Sequence, residues 1–191
     1  MNKPILFCIS AILLLAAGCT SSREKLTTRI GSLETRLFGP SAETFDKVKA
    51  DSLLGLYMEF IDEFPKDSLS PAYLFKAANV AMNGGDGGRA LELFQRYLGD
   101  YPEGPKASLS LFFTAFVYEN VVHNLDKARE TYLLFIEKYP ADDFTDDAQL
   151  ALANLGKSPE DMIREFEARQ KADSARQADS LAALEKKGKG R

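Results

Sequence analysis

Several stretches of the chain carry residue types that could do chemistry. Gly84-Gly85-Asp86-Gly87-Gly88 contains Gly85-x-Gly87-x-x-Ala90, the loose spacing with which a glycine-rich loop cradles a pyrophosphate. Asp142-Asp143-Phe144-Thr145-Asp146-Asp147 crowds carboxylates as a cation site would. His123, the sole histidine of 191 residues, is a candidate general base. Ser108 and Ser110 are candidate nucleophiles, and Cys19 ends the run Ala16-Ala17-Gly18-Cys19.

Each stretch needs a particular setting. A phosphate loop needs a strand before it and a helix after it, so that the helix N-terminus meets the anion. Here AYLFKAANVAM precedes the glycines, and it has helical spacing. Asn124-Leu125-Asp126-Lys127-Ala128 stands in the matching place ahead of a second, similar helix and has no glycine. The glycines therefore predict a turn between helices. The aspartates lack the alternation and closing glutamate of a calcium loop. Acids at a helix start are in any case favoured by the helix dipole, by about 0.3 to 1 kcal/mol each. His123 has neither a second histidine nor a cysteine near it in sequence, and the serines lie on a helix without a nucleophile elbow. No catalytic residue, cofactor or metal is expected. A net charge of −4 gives no basic excess for nucleic acid, and 45 % apolar residues with 27 % charged describe a globular chain.

Cys19 is different. One lysine and an apolar run from Ile5 to Ala17 precede it, too short for the roughly 20 residues that cross a bilayer. A short cationic start, a short apolar core and small residues describe a signal peptide over residues 1–18. The other cysteine, Cys8, lies within that segment, so Cys19 keeps no intramolecular disulfide partner. The run resembles the bacterial lipoprotein signal, with Ala16 where leucine is usual. That resemblance implies acylation of Cys19, membrane attachment through it and, with Thr20 rather than aspartate next, the outer membrane, facing the periplasm.

LLGLYMEFIDEFP, ALELFQRYLGDYP and ARETYLLFIEKYP end alike, at Pro65, Pro102 and Pro140, 37 and 38 residues apart. In each the large apolar residues recur at helical spacing: Tyr57, Phe60, Ile61, Phe64; Leu91, Phe94, Leu98, Tyr101; Tyr132, Phe135, Ile136, Tyr139. Each therefore predicts an amphipathic helix stopped before a proline. First helices precede the second and third of these, from Ser70-Pro71 and through PKASLSLFFTAFVYENVV. DDFTDDAQLALANLG opens another and closes at Gly156, and Ser158-Pro159 caps a last helix. A fixed period of this length marks stacked repeats.

The order of small-residue helix, turn, alanine, aromatic and Tyr-Pro resembles the tetratricopeptide repeat, with Ala90, Phe94 and Pro102 in one unit and Ala128, Tyr132 and Pro140 in the next. Leu53, Tyr57 and Pro65 match with leucine for alanine. Ala77 and Ala78, then Ala115 and Phe116, take the close-packing places of the first helices. The resemblance implies an all-α, tetratricopeptide-like solenoid of about three helical hairpins. Tyr73-Leu-Phe-Lys-Ala-Ala, Tyr118-Glu-Asn and Leu155-Gly-Lys-Ser-Pro-Glu resemble small Bacteroidetes envelope lipoproteins of the barrel-assembly and Tol-Pal-associated kind.

The expected organisation is a removed signal over 1–18, an anchor, short helix and linker over 19–42, the repeat body over 43–167 and a charged helical tail over 168–191. Residues 23–38 carry Leu26, Ile30, Leu33 and Leu37 over two heptads, a stripe that suits packing on the first repeat, a spacer or weak self-association alike. The tail ends in Lys186, Lys187, Lys189 and Arg191.

The expected function is a non-enzymatic scaffold binding a protein or peptide on the concave helical surface. The alternative is an envelope enzyme or accessory acting on peptidoglycan; within the scaffold class stand barrel assembly and Tol-Pal coordination. Phe75, Asn79 and Met82 of one first helix, with Phe113, Val117 and Asn120 of the next, are the residues spaced to face the inner curve. The groove is alternatively filled by a terminal helix of the chain itself. Acylation is directly testable: wild-type chain should take up labelled fatty acid and partition into detergent, and Cys19→Ala should do neither. Equal partitioning of the two would remove the lipoprotein reading.

Overall fold

The structure, a computed structural model, describes residues 21–40 and 44–188. Cys19, the signal segment and the terminal Lys189 and Arg191 lie outside the described residues. Among the described residues the fold is all-helical, with eight helices and no strand. They are α1 (Ser22–Phe38), α2 (Lys47–Glu63), α3 (Ser70–Asn83), α4 (Gly87–Asp100), α5 (Ala107–Asn120), α6 (Leu125–Lys138), α7 (Thr145–Asn154) and α8 (Pro159–Gly188). The chain forms two compact units, the first closing at Thr131 and the second opening at Tyr132, so that the division falls inside α6.

α2, α4, α6 and α8 start where short polar side chains can take orphan amides. Asp46 accepts the Lys49 amide at 3.1 Å, Asp86 that of Arg89 at 3.0 Å, Asn124 that of Lys127 at 3.0 Å and Ser158 that of Asp161 at 3.1 Å. Ser70, expected as a cap, has another task. It is the first residue of α3, and its hydroxyl donates to the Phe64 carbonyl at 2.6 Å.

α2, α4 and α6 end in one way. Proline at 65, 102 and 140 has no amide to continue the ladder. The residue before it closes the helix, through Phe64 to Phe60, Tyr101 to Tyr97 and Tyr139 to Phe135, each at 2.8 Å. Its carbonyl then accepts from the residue three further on, Asp67, Gly104 or Asp142, at 3.0, 2.9 and 3.1 Å. Those carbonyls in turn accept the amides of Ser70, Ala107 and Thr145 at 3.0, 2.9 and 3.0 Å. Three linkers of different sequence thus share one set of backbone bonds.

Their side chains differ in a paired manner. Asp67 takes the Leu69 amide at 2.9 Å and Asp142 the Phe144 amide at 3.0 Å. Gly104 has no carboxylate, and there the Tyr97 hydroxyl accepts the Lys106 amide at 3.2 Å. A Cβ on Gly104 would lie 2.8 Å from that hydroxyl. Phe60 and Phe135, at the places corresponding to Tyr97, carry no hydroxyl. Phenylalanine goes with aspartate, and tyrosine with glycine.

The ends of the first helices also match. Gly85 at φ 77°, His123 at φ 57° and Gly156 at φ 78° each turn the chain through the left-handed region after α3, α5 and α7. The glycine-rich stretch is a helix-to-helix turn, as expected. Gly87 is glycine for a second reason, because a Cβ there would meet the Val122 and Val121 side chains at 2.8 and 3.0 Å.

In the first unit, Arg23 meets Asp67, Arg29 meets Glu59 and Glu34 meets Tyr57, a falling series that sets α1 antiparallel to α2. The stripe residues Leu26, Ile30 and Leu37 are buried against the body, with Leu33 partly so. α3 brings alanines 77 and 78, both fully buried, between larger neighbours, which allows close approach. Tyr57, Phe94 and Tyr132, one from each of the three apolar stripes, are 0, 0 and 1 % exposed. Phe116 departs from expectation: it is exposed and does not pack where Ala78 does. In the second unit Tyr132, Phe135 and Ala148 are buried. α8 runs without a break through the expected boundary at 167 and exposes Met162, Ile163 and Phe166.

The exchange at the middle linker yields a double-mutant test. Tyr97→Phe should cost about 0.5 to 1.5 kcal/mol, the usual worth of a hydrogen bond. Gly104→Asp alone should also destabilise, through the clash with the hydroxyl. Together they should lose less than the sum of the two, since the new carboxylate can take the Lys106 amide while the Tyr101 Cβ and carbonyl oxygen, 3.0 Å from a Cβ at 104, still crowd it. Urea unfolding of the four proteins measures the coupling, and simple additivity would refute it.

Candidate binding cleft

The six residues expected on an open inner face do not share one environment. Val117 is fully buried and belongs to the core, so it cannot contact a partner. Phe75 and Phe113 are half-buried and stacked on each other, ring centroids 6.1 Å apart at 27°. Both also touch the buried Phe94 ring, at 5.9 and 5.8 Å, and Phe75 touches Tyr97 at 6.1 Å. They form a joint between α3, α4 and α5 rather than a bare apolar strip. The reason is that helical spacing gives the face of a residue, whereas its neighbours are fixed by how hairpins stack. Met82 packs partly on the core, and Asn120 is exposed with its amide given to the Phe116 carbonyl at 3.1 Å.

Phe75 and Asn79 do line a cleft, of about 330 Å³, together with Val80 and Lys76 of α3, Tyr57 of α2, and Glu34 and Phe38 of α1. Asn79 donates its side-chain amide to the Phe75 carbonyl at 2.8 Å, which holds the side chain against its own helix. Phe38, a little over half exposed, stands at the rim. This size is in the range of about 300 to 1,000 Å³ typical of ligand sites, which are mostly apolar with a few placed polar groups.

The polar groups are organised by Glu34. One carboxylate oxygen accepts the Tyr57 hydroxyl at 2.6 Å and the Lys76 ammonium at 2.7 Å. Burial, then the bond to Glu34, pushes the Tyr57 hydroxyl well above its ordinary value, so it remains a donor. Lys76 also lies 5.8 Å from the Tyr73 ring centre. Phe75 has a cation of its own, with the Lys106 ammonium 5.7 Å from its ring centre.

Glu34, Phe38, Tyr57, Lys76 and Val80 were not among the residues expected. One sign of Glu34 was available. It lies four residues after Ile30 and three before Leu37, so it sits on the apolar face of α1, where a carboxylate needs a partner. Two of the remaining candidates resolve as local structure: His123 holds a turn, and Asp142 takes a backbone amide. No helix among the described residues is long and apolar enough to cross a membrane. No protein-family model matches the chain, and no curated protein matches it.

The joint predicts how the phenylalanines respond to truncation. Phe75→Ala and Phe113→Ala should each cost about 2 to 3 kcal/mol, somewhat below the 3 to 5 of a fully buried Phe. Phe38→Ser, at the exposed rim, should stay within about 0.5 kcal/mol of wild type. Denaturant midpoints compare the three.

Proposed function

We propose that this chain is a non-enzymatic binding scaffold, lipid-anchored through Cys19 at the outer membrane and facing the periplasm, whose body is a tetratricopeptide-like solenoid of about three hairpins. The solenoid reading is supported by the three linkers with one hydrogen-bond set and by the left-handed turns at Gly85, His123 and Gly156. The observation that carries the binding reading is the cleft of about 330 Å³ on α3, lined by aromatic and aliphatic groups with Asn79 among them. An extended segment of a protein partner suits it. An apolar side chain fills the cleft, and the Asn79 amide oxygen accepts from the segment's backbone. In this reading α1 does not fill the groove; it builds one wall of it.

A photo-crosslinking amino acid at Phe38 tests this in the native cell. It should trap one protein, and Asn79→Arg, which obstructs the cleft and removes no ring of the aromatic joint, should abolish trapping while circular dichroism shows the fold retained. The same photo-residue at exposed Gln95 should trap nothing in common. Trapping that is indifferent to Asn79→Arg would place the interaction elsewhere.

A further inference from the structure

The two lysines beside Phe75 are in different states. Lys76 is neutralised by Glu34 at 2.7 Å, which is half-buried and also fixed by Tyr57. Lys106 is exposed, and among the described residues its ammonium has no carboxylate partner; it rests on the Phe75 ring at 5.7 Å. Its position is not left to the flexibility of a loop, since its backbone amide is tied to the Tyr97 hydroxyl at 3.2 Å and its carbonyl accepts the Ser110 amide at 2.8 Å. The cleft therefore has a satisfied charge pair among its lining residues, and one unmatched positive charge rests on the aromatic ring that forms part of its wall.

Resting on the scaffold reading above, we propose that the partner segment places an aromatic or long aliphatic side chain in the cleft and carries an acidic residue beside it, whose carboxylate is met by Lys106. The sign follows from the charges around Phe75. A basic neighbour would be repelled by Lys106, and the charge of Glu34, the acid lining the cleft, is already balanced by Lys76. A neutral neighbour would leave the ammonium as it is. The apolar side chain lies against Phe75, and the next residue of an extended chain is about 3.5 Å further along, within a lysine's reach. The pair is partly shielded by the ring and otherwise open to water, so it discriminates between partners more than it adds affinity.

The test selects displayed random twelve-residue peptides on the full mature chain and on two variants. Wild type should enrich peptides with a large apolar residue next to aspartate or glutamate. For the best such peptide, replacing the acid by alanine, or Lys106→Met in the protein, should weaken binding by about two- to fivefold, and the two losses should not add. Lys106→Glu should shift the selection toward lysine or arginine at the flanking place. Circular dichroism checks that these surface variants keep the fold. Enrichment without acids, or an unchanged preference in Lys106→Glu, would overturn the charge rule and leave the cleft standing. Peptides that bind Asn79→Arg as well as wild type, or no enrichment at all, would overturn the cleft reading and this one with it.

Discussion

A proline deprives the chain of one amide, and the first unit and the linkers are arranged around that loss. At Pro65, Pro102 and Pro140 the helix cannot go on, so the carbonyl before the proline must find a donor outside the helical ladder. It finds it three residues on, in all three linkers, and the next carbonyl repeats the step. Six backbone bonds fix where α3, α5 and α7 begin relative to the helices before them. Rotation of a first helix is what decides whether Phe75 and Asn79 border a cleft or vanish into the core. The site is thus set by turns some distance from it.

The principal helix contacts in the first unit join chain neighbours, α1 with α2, α2 with α3, α3 with α4 and α4 with α5. Such a unit closes short loops and gains its burial step by step. α1 takes part in this series although it has no partner hairpin. Its buried Leu26, Ile30 and Leu37 cover the face of α2 that would otherwise be wet. The cost of a terminal helix is offset by that coverage, and the cleft arises where α1 runs out and Phe38 can no longer pack.

The helices and their ends were legible in the sequence because they obey local rules. Periodicity gave the faces, proline gave the stops, and Ser158 gave one start. Tyr57, Phe94 and Tyr132 were identifiable as core from spacing alone. The face toward a partner was less legible. Val117 and Phe113 lie on the same side of α5 as Asn120, yet one is buried, one half-buried and one exposed. Exposure there depends on the neighbouring hairpin, which no local pattern encodes. Ser70 illustrates a smaller limit: its hydroxyl has two chemically sensible uses, and the linker takes the one that propensity ranks second. The all-helical class follows from either reading; the cleft required a contact between residues 42 apart, Glu34 and Lys76.

The pairing of Tyr97 with Gly104 bears on the history of the chain as well as its stability. Phenylalanine with aspartate and tyrosine with glycine are two solutions to one donor, and each half of one is incompatible with a half of the other. Tyrosine beside aspartate is crowded; phenylalanine beside glycine leaves the amide of residue 106 unserved. If the repeats descend from a single duplicated hairpin, the middle one crossed between the solutions through a weaker intermediate. The two positions are then an epistatic pair, and drift at one is held in check by the identity of the other.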